Sequence, residues 1–127
     1  MMRYFAVPVA VLALLLGLSL ENARALERDA ERWTAALDRV VISAEREEWD
    51  AALEELRAVQ EKWGARQPWL HIVTAHDELE AADALFATAE SFARERDLSE
   101  FCAAIAQLTV QLRIVSDMQQ LTLKNVL

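Results

Sequence analysis

Across its 127 residues this chain has only two glycines, Gly17 and Gly64, and two prolines, Pro8 and Pro68. A sheet needs reversals every eight to twelve residues or so, and glycine and proline are the residues that make them without strain. So few turn formers predict helices joined by short connections and argue against strands. With 54% hydrophobic residues there is material for one domain. The expected class is all-α: an N-terminal membrane-anchor or signal helix over residues 1–25, then an antiparallel bundle of about four helices, two helical hairpins, over residues 26–127.

From Tyr4 to Leu20 seventeen residues pass without a charge, enough for a helix of about 25 Å, the short edge of what spans a bilayer. Ala23-Arg24-Ala25 has the small-x-small form of a signal-peptidase site, so secretion after cleavage near Ala25 is the alternative to a retained anchor. The length of the run and its continuity with the next helical pattern favour retention. Arg3 argues for a cytoplasmic N-terminus, whereas Arg24, Arg28 and Arg32 argue the reverse. A following segment of about 100 residues translocates largely regardless of its own charges. The expected location is the cell membrane, with the C-terminal domain outside the cytoplasm.

Residues 26–127 hold 11 basic and 20 acidic residues. Such a field repels polyanions, and with no basic cluster along the chain nucleic acid is not an expected partner. Cys102 is the sole cysteine, so no internal disulfide forms. It sits beside an apolar helical face with no nearby His or Lys to activate it, as a small buried hydrophobe would.

Leu26, Ala30, Trp33, Leu37, Val40 and Ala44 alternate by four and three, a seam of heptad type. The phase breaks before Trp49, Leu53, Leu56 and Trp63, which predicts a hairpin turn near Glu47 and Glu48; a single kinked helix over 26–63 is the alternative. Gly64 has the position of a C-terminal cap and Pro68 that of a first-turn proline, so the next helix is expected from Pro68 to Arg96. Its apolar residues form two groups, Trp69, Ile72, Val73 and His76, then Leu79, Ala82, Phe86, Ala89 and Ala93. Asp97-Leu98-Ser99-Glu100 is a capping-box pattern opening a last helix, whose buried face is Phe101, Ile105, Leu108, Leu112 and Val115. Leu121, Leu123 and Leu127 leave an apolar tail, expected to fold back on the bundle or to dock on a protein partner.

The chemistry on offer is sparse. His76, Glu80 and Asp83 share one side of a helix and are the candidate metal ligands, zinc or manganese being the ions they suit. His71 lies well round the helix, and neither H-E-x-x-H nor paired Glu-x-x-His is present. The simpler expectation is a partly buried His76 held by Glu80 or by a carboxylate on a neighbouring helix, a structural polar cluster. Trp49, Trp63 and Trp69 bracket the second helix, as core anchors or as the wall of a peptide groove. No catalytic triad order, phosphate loop or Cys–His pair appears, so neither an enzyme nor a cofactor is expected.

EEWDAALEELRAVQEKW, then PW followed by HDELE, then a closing LTLKNVL behind an apolar N-terminus together resemble domain-of-unknown-function family 4363. The resemblance implies a small membrane-anchored helical protein of the kind found in Gram-positive, spore-forming bacteria, with no known activity, ligand or partner. The polar face departs from it in carrying arginine, with Lys62 and Lys124 the only lysines. The expected function is that of a non-enzymatic adaptor or structural subunit in an envelope assembly, in contact with the membrane through residues 4–20. A metal- or small-ligand-binding protein centred on His76, and a peptide-binding module on the Trp-lined hairpin, are the alternatives.

Overall fold

The computed structural model describes residues 2–126, with side chains described for all of these except Met2, Val73 and 122–126. Four helices follow one another: α1 (Met2–Glu45), α2 (Trp49–Val73), α3 (His76–Glu95) and α4 (Leu98–Val126), with no strand among the described residues. They form an antiparallel ring in which α1 packs on α2 and α4, and α3 packs on the same two from the other side. This is the up-down-up-down arrangement that short connections impose on amphipathic helices.

The seams fall where the spacing predicts. Leu26, Ala30, Trp33, Leu37, Val40 and Ala44 of α1 are buried, as are Leu79, Ala82, Phe86, Ala89 and Ala93 of α3 and Phe101, Ile105, Leu108, Leu112 and Val115 of α4. Residues 26–63 are two helices, not one kinked helix. In the turn between them Glu48 N–H donates to Ser43 O and Glu47 N–H to Ala44 O, both at 2.9 Å. That pair of bonds is a Schellman motif, and it puts Glu47 at φ 62°. The α3–α4 connection repeats it, with Arg96 at φ 56°, Arg96 N–H on Ala93 O and Asp97 N–H on Phe92 O. Asp97 then caps α4, accepting from Glu100 N–H at 3.2 Å.

One expected boundary is wrong. α2 runs through Gly64 and Pro68 to Val73, and the break comes at Thr74 and Ala75, in extended backbone at φ −123°, ψ 150° and φ −59°, ψ 130°. The stretch Pro68–Phe92 is therefore not one helix. The buried seam explains why: Trp49, Ala52, Leu56, Val59, Trp63 and Leu70 keep a three-and-four rhythm across the glycine and the proline. Burying Leu70 completely requires the helix to continue past both. Pro68 forgoes its bond to the carbonyl of residue 64, at a cost of about 3 kcal/mol that the added core contacts offset. The face drawn through Trp69, Ile72 and His76 is mostly solvent-facing, with Ile72 78% exposed. The β-branched run Ile72–Thr74 is a poor helix former and marks the true end, while Asp77 and Glu78 suit the positive N-terminus of α3.

Two helices are long and apolar enough to cross a membrane by length and composition, α1 and the Leu98–Leu121 part of α4. In α4 the apolar face is the bundle core. In α1 nothing in the apolar window is buried within the chain: Tyr4, Phe5, Val7, Val9, Val11, Leu12, Leu14, Leu15 and Leu18 are all exposed, and the bundle begins at Ala23. Among the described residues the chain does not turn back after Asp117: α4 continues as helix to Val126 and leaves Leu121 59% exposed. The Leu123 side chain and Leu127 lie outside the described residues.

Candidate functional site

The expected polar cluster divides between two places. His76 opens α3, and its Nε2 lies 2.9 Å from Glu80 Oε1 one turn along, but the two side chains are 66% and 65% exposed. The partial burial expected of His76 is not found, because the helix begins at this residue and its first turn projects beyond the core. Across the α2–α3 turn the His71 ring sits 5.3 Å from that of His76, tilted by 40°. That neighbour is not legible in the sequence, because the approach depends on the break at Thr74 and Ala75, which no glycine or proline marks.

Asp83 belongs to a different group. Its Oδ1 accepts the indole N–H of Trp63 at 2.8 Å, and Gln67 Nε2 donates to the same carboxylate at 2.8 and 3.1 Å. Trp63 is 1% exposed, so this acceptor satisfies a donor that water does not reach. Asp83 thus ties α3 to α2 and takes no part with His76 and Glu80. Among the described residues no three His, Cys, Asp or Glu side chains are placed to hold a metal ion.

The tryptophans are core residues. Trp63 packs edge-on against Trp33 with ring centroids 5.8 Å apart, and Trp49 against Phe101 at 5.5 Å, geometries that suit the ring quadrupoles. Trp69 is partly buried against the same core, and its Nε1 is the buried side-chain donor without an acceptor among the described residues. Packed this way, Trp49 and Trp63 present no aromatic wall to a peptide.

Cys102 is half-buried. Burial, and secondarily the Glu45 carboxylate, push its thiol up from the ordinary range, so at neutral pH it is a protonated small hydrophobe.

A groove does open elsewhere, along α1 and α2. One end, about 380 Å³, is lined by Ala36, Arg39, Ser43, Arg46, Val59 and Lys62 among others. The other, about 570 Å³, continues past Arg39 and Lys62 to Arg32, Trp33 and Arg66. Five of the 11 cations of residues 26–127 therefore lie on one face. This corrects the expectation that no basic cluster exists: Arg32, Arg39 and Arg46 are seven residues apart and stack on one side of a helix, and α2 adds Lys62 and Arg66. Arg66 is paired with Asp29 at 2.6 Å, and Ser43 Oγ donates to Glu55 at 3.0 Å.

No curated protein and no solved structure matches the chain. The sequence pattern of one family does, over residues 22–126, which is the bundle from the last turn before Ala23 to the end of α4. The four-helix body described above is thus the family's own domain, and the chain belongs to the family described as domain of unknown function (DUF4363).

Proposed function

We propose that this protein is a non-enzymatic, membrane-anchored helical subunit, an adaptor or structural element of an envelope assembly whose bundle is carried outside the cytoplasm. The observation that carries the reading is the continuity of α1, 44 residues from Met2 to Glu45 without a break. At 1.5 Å per residue it is a rod of about 66 Å, with nearly half its length, up to Leu20, apolar and mostly exposed, and the remainder supplying one seam of the core. Nine large apolar side chains bare along one segment represent on the order of 15 kcal/mol that only a lipid or protein environment recovers. A helix that passes from bilayer to core without a hinge would hold the bundle at a set height and angle.

Burial also favours retention over cleavage. Removal after Ala25 would delete Ala23, 2% exposed, and leave Leu26, 1% exposed, as the first residue of a fraying terminus. The test is alkaline carbonate extraction of membranes from expressing cells, with intact mass measurement of the extracted protein. The expected result is a chain that resists extraction and retains residues 1–25. A soluble product beginning at Leu26 would refute the anchor.

A further inference from the structure

The α1–α2 groove has a counterpart on the same molecule. Arg32, Ala36, Arg39, Ser43 and Arg46 form a stripe on α1 with steps of four and three, every second member a cation and the rest small. On the outward face of α2, Glu54, Ala58, Glu61 and Ala65 follow the same rhythm with carboxylates in place of cations, and Glu47 in the preceding turn extends it by seven. Cations at 32, 39 and 46 are about 10.5 Å apart along α1, as are the carboxylates at 54 and 61 along α2, and Glu47 stands in the turn just before that helix. All six side chains are exposed, and none has an ion-pair partner within the chain among the described residues. Charged residues at a seven-residue period flanking small ones are what one helix offers another in a heptad-type interface.

The levels agree as well. The Ser43–Glu55 and Arg66–Asp29 contacts set how α2 descends beside α1. That register puts Arg46, Arg39 and Arg32 within about one turn of the heights of Glu47, Glu54 and Glu61. Two copies anchored with the same orientation in one membrane are related by an axis along the membrane normal, which preserves every height. The α2 of the partner then keeps both its level and its antiparallel sense relative to α1.

We infer that the α1–α2 groove is the interface of a parallel homodimer, in which Arg32, Arg39 and Arg46 of each copy face Glu61, Glu54 and Glu47 of the other. The two-fold duplicates each contact. Ala36, Ala58 and Ala65 allow the helices to approach closely, and Ile42, 46% exposed, gains cover. The net negative charge of each copy opposes association only weakly. At physiological ionic strength the Debye length is about 8 Å, so contact pairs survive and the long-range repulsion is largely screened. Confinement to one membrane raises the effective concentration of the second copy. The parallel axis rests on the anchored reading above.

The test uses the full chain carrying Cys102→Ala, reconstituted in phosphatidylcholine vesicles, with a single new cysteine at Ala58, which lines both the groove and the outward face of α2. A control cysteine replaces Ala87 on the outer surface of α3. A short bismaleimide is expected to convert the Ala58→Cys chain, and not the Ala87→Cys chain, to twice the 14.3 kDa monomer mass. Arg39→Glu or Glu54→Arg alone should lower that yield roughly tenfold, since like charges then meet twice across the two-fold, and the two together should restore it. Equal yields at Ala58 and Ala87, or no recovery in the double reversal, would overturn the dimer. Flotation of the same vesicles tests the anchor separately. Cross-linked protein that fails to float keeps the interface and removes the anchor, whereas floating protein without the Ala58 product does the opposite.

Discussion

Replacing Asp83 by alanine removes the acceptor of a buried indole N–H while leaving the indole in place. The Trp63–Asp83 bond is 2.8 Å long and Trp63 is 1% exposed. A hydrogen bond to a charged group contributes about 1.5–3 kcal/mol, and a buried donor left unpaired costs about 1–3 kcal/mol. The carboxylate itself is solvated on its other side, which argues for the lower part of these ranges, and alanine recovers a few tenths of a kcal/mol in helix propensity. The expected destabilisation is about 2 kcal/mol, or roughly 10 °C in Tm for a body of about 100 residues. His76→Ala breaks an i,i+4 pair whose members are both about two-thirds exposed, so it should cost no more than about 0.5 kcal/mol. Asp83→Asn, which keeps an acceptor oxygen, should fall between the two. Urea unfolding of the full chain in detergent micelles, followed by far-UV circular dichroism, measures all three. In a Trp63→Phe background Asp83→Ala should lose most of its effect, giving a coupling of about 1.5 kcal/mol. Equal costs at Asp83 and His76, or full additivity with Trp63→Phe, would refute the account of how α3 is tied to α2.

Glu47→Gly and Arg96→Gly should each stabilise the fold by about 0.5–1 kcal/mol, because both residues hold a left-handed conformation that costs a side chain about 1–2 kcal/mol, partly offset by the greater freedom of glycine in the unfolded chain. Gly64→Ala should raise the urea midpoint by a comparable amount: the position is mid-helix and exposed, and an added Cβ meets nothing within 4 Å. The Cys102 thiol, shifted upward by burial and by Glu45, should alkylate more slowly than a cysteine in an unfolded peptide at pH 7–8. Its rate should go on rising at pH values where the peptide's has levelled off, and peptide-like kinetics would contradict the shift. Because the folded state holds that proton more tightly, its contribution to stability is full below the unfolded pKa and is lost as pH rises past it.

The seams of α1, α3 and α4 were legible because a helical face is a matter of local spacing: Leu26 to Ala44, Leu79 to Ala93 and Phe101 to Val115 each keep one rhythm without help from elsewhere in the chain. The reversal at Glu47 was legible from a slip in that rhythm, although no glycine marks it. The sequence suggests too early an end for α2 because Gly64 and Pro68 are local stop signals, and local signals yield when the core on both sides demands continuation. Leu70, seven residues beyond Trp63, carried the overriding information. Partial burial of His76 is expected from the sequence for the same reason, since the spacing starts its helix at Pro68, eight residues too early. The His71–His76 approach and the Trp63–Asp83 bond join residues on different helices, and spacing along one helix is silent about such partners.

By itself, then, the order of amino acids determined that the regular structure of this chain is helical, that it carries an apolar first segment, and which side of three helices turns inward. Packing decided the rest: where α2 stops, which carboxylate meets the buried indole, and that scattered arginines in an acidic protein line up along one groove. The physical division is between interactions within a turn or two of helix, which periodicity encodes, and interactions across helices, which exist only once two helices have a fixed register.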